Sequence, residues 1–171
     1  MKQKVVLAFS GGLDTSFCVP YLINEKGLEV HTVIVNTGGF SEKEAALIEE
    51  RAIKLGSTSH TSINAVEDYY SKGIKYLIYG NILKNNTYPL SVSSERFFQA
   101  MAIVDHVKKV GADFVAHGST GAGNDQIRFD LVFEVLAPDV QIIAPIRELS
   151  LSRQQEIDYL KENGFDFSWE K

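Results

Sequence analysis

The chain is poor in cysteine and proline and short of positive charge. Cys18 is the only cysteine among 171 residues, so no disulfide framework can form, and the composition fits a reducing compartment. It falls early in the first expected helix and reads as a small buried hydrophobe. Lys and Arg number 17 against 22 Asp and Glu, a net charge of −5. That balance argues against nucleic acid as a partner, since phosphate backbones are held by excess cations. No apolar run is long enough to span a bilayer, and nothing ahead of the first strand reads as a signal peptide. Internal repeats and low-complexity tracts are lacking too. The expectation is a soluble, cytoplasmic protein with no membrane partner. What is present, 44% hydrophobic residues, suffices for one full core.

Strand and helix signals alternate. The expected fold is therefore α/β: a Rossmann-like, doubly wound parallel sheet of about five strands with helices on both faces. Strands are expected at Lys4 to Phe9, Val30 to Val35, Thr58 to Ile63, Asp113 to Ala116 and Val140 to Ala144. Ser41 and Glu44 form a capping-box pattern for a helix that Gly56 stops after Leu55. Further helices are expected over Val66 to Tyr79, Ser94 to Val110, Asp125 to Leu136 and Ser152 to Asn163. Pro20 conflicts with the first helix, because it removes a backbone donor and crowds the Ser16 carbonyl. A kink or an irregular first turn is the expected response.

Ser10 to Ser16 read SGGLDTS and follow the first strand. A strand running into Ser-Gly-Gly and then a helix places free N–H groups and hydroxyls in one concave spot, which suits a phosphate chain. Gly11 and Gly12 permit unusual dihedrals and close anion approach. The alternative is an ordinary Gly turn with Asp14 as helix cap. No Lys follows Gly12, so the loop is not a Walker motif.

In an open parallel sheet, ligands bind beyond the C-terminal strand ends where strand order reverses. Three loops meet that condition: Ser10 to Leu13, Asn36 to Phe40 and His117 to Asn124. The third has Asn124-Asp125 where a Walker motif needs Lys-Ser, and Gln126 where a dinucleotide fingerprint needs Gly. Thr120, Asn124 and Asp125 instead offer a hydroxyl, an amide and a carboxylate, which suit an amino acid with its ammonium group. Arg128 lies one helical turn beyond Asn124. The alternative is a Gly-rich turn with an Asn-Asp cap and a solvated Arg.

SGGLDTS resembles the pyrophosphate loop of the N-type ATP pyrophosphatases, which split ATP between its α- and β-phosphates. Most of these have Ser where Thr15 stands. With YPLSVSSER (Tyr88 to Arg96), HGSTGAGNDQIRFD (His117 to Asp130) and IIAPIRE (Ile142 to Glu148) in order, the chain resembles the argininosuccinate synthase family over nearly its whole length. The resemblance implies an adenine nucleotide alpha hydrolase-like fold, and an ATP-dependent, AMP-forming ligation of citrulline to aspartate through citrullyl-AMP, in arginine biosynthesis. ATP enters as its Mg2+ complex. Carried over residue by residue, Ala8, Phe9, Ser10, Gly11, Gly12, Leu13, Asp14, Thr15 and Ser16 line the ATP, with Val35 near adenine and Gly118 near the nucleoside. Asp14 caps the helix or assists magnesium. Tyr88, Ser93, Asn124 and Arg128 contact citrulline, and Thr120, Asn124 and Asp125 hold aspartate. Asp14, Asn124, Asp125 and Arg128 carry the catalytic roles, with no protein-held metal and no evident general base.

The chain departs from the family's usual pattern at Ser91-Val92-Ser93, Phe97, Ala122 and Ile146, which stand for GTS, Pro, Lys and Trp. Ala122 removes one cation beside anionic ligands. The family's chain runs further, so residues 1–165 are expected to form the ATP domain and 166–171 to open a second, synthetase and oligomerisation domain, with Trp169 on an exposed apolar patch. The full-length protein is expected to be a homo-oligomer, a tetramer in the family, and a chain ended here to bind ATP without making argininosuccinate. Two other readings are another N-type pyrophosphatase, which predicts a glutaminase or basic RNA-binding appendage, and a non-enzymatic ATP-binding module, which predicts no Asn124-Asp125-Arg128 constellation.

Overall fold

The computed structural model describes residues 2–169. Its strands are β1 (Lys4–Ala8), β2 (Glu29–Asn36), β3 (Ser59–Asn64), the short β4 (Leu83–Lys84) and β5 (Tyr88–Pro89), β6 (Phe114–His117) and β7 (Gln141–Ile143). The helices are α1 (Leu13–Asn24), α2 (Glu42–Lys54), α3 (Val66–Tyr69), α4 (Lys75–Tyr79), α5 (Ser91–Val110), α6 (Asp125–Leu136), α7 (Pro145–Leu149) and α8 (Arg153–Glu162). A π-helical turn, Tyr70–Ile74, joins α3 to α4. The region expected as one helix is therefore helical throughout, with a wider turn in its middle.

Five strands form a parallel sheet in the order β3-β2-β1-β6-β7. Val5, Val6 and Leu7 are all fully buried, as a central strand covered on both faces requires. Val5, Leu7 and Phe9 join the cluster beneath α1, α2 and α8, whereas Val6 joins the cluster beneath α5 and α6. The apolar alternation along β1 thus points successive side chains into two separate cores. The doubly wound α/β architecture is as expected, with five strands and helices on both faces.

Several local expectations need correction. The first helix begins at Leu13, with Gly12 as its N-cap and no side-chain cap bond; Asp14 sits inside the first turn and is not the cap. Gly can terminate a helix here because its extended backbone needs no side chain to start the turn. α1 runs as one element through Pro20 to Asn24. α5 starts at Ser91, and α7 has Pro145 as its first residue, a position where a missing N–H costs nothing. Capping boxes at Ser41/Glu44 and Ser152/Gln155 both form.

Trp169 is not on an exposed patch. Phe165, Phe167 and Trp169 run without regular structure across the α1–α8 core and pack on it. The expected opening of a second domain over 166–171 reaches Glu170 and Lys171, which lie outside the described residues.

The α1–α8 contact buries one ionisable group. Glu156 of α8 is 3% exposed, and its Oε2 lacks a hydrogen-bond partner among the described residues. Burial, followed by the charge of Asp14 and a hydrogen bond to it, raises the Glu156 carboxyl from 4.5 to about 7. The folded state therefore prefers the neutral carboxyl. Stability from this preference is complete below about pH 4.5 and is lost as pH rises through about 7. Glu156→Gln removes the titration while keeping the shape. It is expected to melt several degrees higher than the parent at pH 8 and at about the same temperature at pH 4.5, by differential scanning calorimetry. Equal melting temperatures at pH 8 would mean that Glu156 ionises there without cost.

Candidate functional site

Strand order reverses between β1 and β6, which are neighbours but continue into helices on opposite faces. A crevice opens there, as expected for a doubly wound sheet. It holds a cavity of about 1060 Å³, large enough for a nucleotide-sized ligand. Ala8 to Thr15 form one wall, Val33 and Val35 of β2 an apolar flank, and His117 to Ser119 the opposing wall. Phe40 from the loop after β2 completes the three loops anticipated from sequence.

The loop after β1 has the local geometry of an anion cup. Gly11 takes φ +78, where a side chain would be strained. The Ser16 amide makes the first intrahelical bond, to the Gly12 carbonyl at 3.0 Å. The amides of Leu13, Asp14 and Thr15 therefore have no acceptor within the helix, at its positive end. The Ser10 and Thr15 hydroxyls lie 3.2 Å apart beside them. Ser16 differs from its neighbours. It does not line the cavity, and its buried hydroxyl has no partner among the described residues.

Gly118 closes the two loops against each other. A Cβ there would sit 2.9 Å from Thr15 Cγ2, 3.1 Å from Thr15 N and 3.3 Å from the Asp14 carbonyl carbon. His117 anchors this approach from the end of β6. Its Nδ1 accepts the Ser119 amide at 3.2 Å, and Nε2 donates to Asp130 at 2.9 Å. Burial lowers the His117 pKa despite the opposing pull of Asp130, so the ring is neutral and its one proton faces Asp130. Burial alone would raise Asp130, but hydrogen bonds from Arg147 and His117 outweigh it and hold the carboxyl below its usual range.

A polar cluster stands at the rim. Asp125 lines the cavity and accepts Arg128 at 2.6 Å and Arg96 at 3.1 Å. Arg128 also donates to the Ser93 hydroxyl at 3.2 Å. Three residues expected to contact amino-acid substrates are therefore bonded together. Asp125 retains acceptor capacity on both oxygens, since each takes one of these bonds. Thr120 and Asn124 sit in the exposed Gly-rich loop, with the Thr120 hydroxyl bonded to the Ala122 carbonyl. Asn124 is the α6 N-cap but makes no side-chain cap bond. Tyr88 lies on the β4–β5 hairpin, 46% exposed, and does not line the cavity.

Sequence reasoning missed part of the cavity. Glu95, Arg96 and Gln99 of α5 line it, as do Ile48 and Arg51 of α2 and Arg153 of α8. A signal for α2 existed: Glu44, Leu47, Ile48 and Arg51 fall on one helical face by the 3–4 spacing. Among the described residues no group of three or more His, Cys, Asp or Glu side chains could hold a metal ion. No helix among them is long and apolar enough to cross a membrane.

Residues 4–166 match the family described as arginosuccinate synthase N-terminal HUP domain. Similar curated proteins are named argininosuccinate synthase. The one from Hyperthermus butylicus is 45% identical over 164 residues, covering 95% of this chain and 41% of the relative. That from Xanthomonas campestris pv. campestris is 44% identical over 167 residues, covering 95% and 41%. That from Pyrobaculum aerophilum is 44% identical over 162 residues, covering 95% and 40%. The chain thus spans about two fifths of these relatives' length.

Rotation of the Thr15 side chain could relieve the contact with its Cγ2 but not those with Thr15 N and the Asp14 carbonyl carbon. Gly118→Ala is expected to force the two loops apart, at roughly 1–3 kcal/mol of stability for an overpacked contact. Calorimetry should show a melting temperature lower by several degrees and weaker binding of inorganic pyrophosphate. A variant matching the parent in both would show that the loops are not held in register by this contact.

Proposed function

This chain belongs to the argininosuccinate synthase family, and from that premise we propose that its crevice binds MgATP and joins citrulline to aspartate. The observation that carries the reading is that one cavity contains both the unpaired amides of the α1 N-terminus and the Asp125 end of the Arg96–Asp125–Arg128 cluster. The amides of Leu13 to Thr15, with the Ser10 and Thr15 hydroxyls, would cradle the β- and γ-phosphates. Val33 and Val35 offer the adenine an apolar surface, and Gly118 leaves room for the nucleoside. Magnesium would arrive with ATP, with Asp14 beside it.

In the proposed reaction the ureido oxygen of citrulline attacks the α-phosphorus, the bond from that phosphorus to the bridging oxygen breaks, and pyrophosphate leaves. The aspartate amine then attacks the activated ureido carbon, and the carbon–oxygen bond to AMP breaks. The amine's excess proton departs with the products, to phosphate oxygen or water. Arg128 and Ser93, with Tyr88, would orient citrulline. Asp125, Thr120 and Asn124 would receive aspartate's ammonium and carboxylate. The protein's contribution is positioning and stabilisation of developing charge, without a general base. Three departures noted in the sequence bear on this. Ala122 leaves the loop without its usual cation, while Ile146 is buried in the α1–α8 core and Phe97 packs against the separate core on the other face of the sheet.

The test uses the whole protein that carries this chain, with ATP, magnesium, citrulline and aspartate. Pyrophosphate should appear only when citrulline is present, and argininosuccinate only when aspartate is added too. Asp14→Ala should weaken MgATP binding by about tenfold or more while leaving the fold intact. Arg128→Lys keeps the charge but loses the planar fork. It should raise the KM for citrulline several-fold and leave the KM for ATP within about twofold. Citrulline-independent pyrophosphate release, or equal losses for both substrates, would contradict the assignment.

A further inference from the structure

Arg51 of α2 lies 40 positions beyond the phosphate loop in sequence, yet its guanidinium donates to the Gly11 carbonyl. The peptide joining Gly11 to Gly12 is planar and trans, so its C=O and N–H point in opposite directions. Drawing the carbonyl toward α2 turns the Gly12 N–H toward the other side of the loop, where it reaches Ser10 Oγ at 3.4 Å. The Gly11 backbone needs this support, since φ +78 is shared by few conformations and its Cα faces Ile48 of the same helix at 3.2 Å from a notional Cβ. Arg51 also lines the cavity. With one of its five donors spent on Gly11, the remaining N–H edges add positive charge to a loop that has no lysine.

The guanidinium is itself held from outside the loop. Its central carbon lies 5.4 Å from the Phe167 ring centre and 5.2 Å from that of Trp169. The two rings meet edge to face at 5.7 Å. Cations over aromatic faces at this range are attracted by the ring quadrupole, and Arg loses less rotamer freedom when its plane is already constrained. Segment 165–169 therefore connects to the phosphate loop through Arg51.

We propose that Arg51 is a positioning residue of the nucleotide site, and that Phe167 and Trp169 set its orientation and thereby couple segment 165–169 to phosphate binding. This rests on the reading of the crevice as an ATP site. Two consequences separate the proposal from a merely structural role. Nucleotide affinity of the folded protein depends on Arg51 and on an aromatic segment that is not part of the cavity wall. Phosphate binding is felt at Trp169, the only tryptophan of the 171 residues, and so alters its fluorescence.

The experiment titrates MgATP into the parent chain and into Arg51→Ala, Arg51→Lys and Trp169→Ala, by calorimetry and by tryptophan fluorescence where Trp169 remains. Circular dichroism confirms that each is folded. Arg51→Ala is expected to raise Kd roughly tenfold to a hundredfold, the range for losing a charge-assisted hydrogen bond. Arg51→Lys, which retains charge without the fork, should fall between Arg51→Ala and the parent. Trp169→Ala should raise Kd several-fold. The parent's fluorescence should change on MgATP addition, and that change should vanish in Arg51→Ala. If Arg51→Ala does not fold, Arg51→Lys and Trp169→Ala decide the matter. A parent that binds MgATP while every folded variant binds it equally well overturns the role of Arg51 and leaves the ATP site standing. A parent that binds no MgATP overturns the ATP reading and this proposal with it.

Discussion

The backbone of Gly118 against the first turn of α1 is the contact on which the site depends. β1 and β6 pair in parallel with Ala8 opposite His117, so their loops leave the sheet side by side. Each then turns to a different face. Only a residue without Cβ permits the Gly118 backbone to approach Thr15 and Asp14 at this distance. The His117 ring, held by Asp130 and accepting the Ser119 amide, fixes the other end of the same turn. One short β-pairing and one missing methyl group thus bring the helix N-terminus and the Gly-rich loop to a common cavity. The rim cluster follows from it, because Asp125 begins the helix that this loop leads into.

The cavity combines helix-end dipoles and arginines with the carboxylates of Asp14, Glu44, Glu95 and Asp125, and no lysine stands on the loop. The chain carries a net charge of −5, yet its cavity wall includes Arg51, Arg96 and Arg153. Each arginine there has a defined neighbour or interaction: Arg51 with Gly11, Arg96 with Asp125 and Gln99, Arg153 with a weakening influence on the raised carboxyl of Glu156. Guanidinium groups so oriented need little rearrangement when an anion arrives, which lowers the entropic cost of binding. Beneath this layer, burial and the neighbouring Asp14 raise the Glu156 carboxyl to about 7. The carboxyl of Glu156 stays neutral around pH 6, so the phosphate loop does not rest on two adjacent negative charges.

The sheet, its two helix-covered faces and the strand–turn–helix passage around Gly11 and Gly12 were legible because each depends on local signals. Val5, Val6 and Leu7 read as a continuous apolar run, and SGG after a strand reads as a turn into a helix. The capping box at Ser41 marked one helix start correctly. What escaped was set by contacts distant in sequence. Arg51 reaches Gly11 across 40 positions, and no spacing rule connects them. Trp169 read as exposed because residues 166–171 read as the opening of a second domain, whereas it packs on the α1–α8 core and beside Arg51. Asp14 resembled a cap because Asp is a favoured one, whereas Gly12 already occupies that position. Leu83–Lys84 and Tyr88–Pro89 form a hairpin that short, exposed, Asn-rich residues disguised as loop. Tyr88 lies on that hairpin, half exposed, while Ser93 from the same motif bonds to Arg128.

The most direct test of the account is a crystal structure with magnesium and a non-hydrolysable ATP analogue. The account predicts phosphate oxygens within hydrogen-bond distance, roughly 3 Å, of the Leu13, Asp14 and Thr15 amides. It also predicts adenine against Val33 and Val35, with Gly118 opposite the ribose. Density for the nucleotide elsewhere on the molecule, or adenine seated on the SGG loop with the phosphates toward β2, would contradict it.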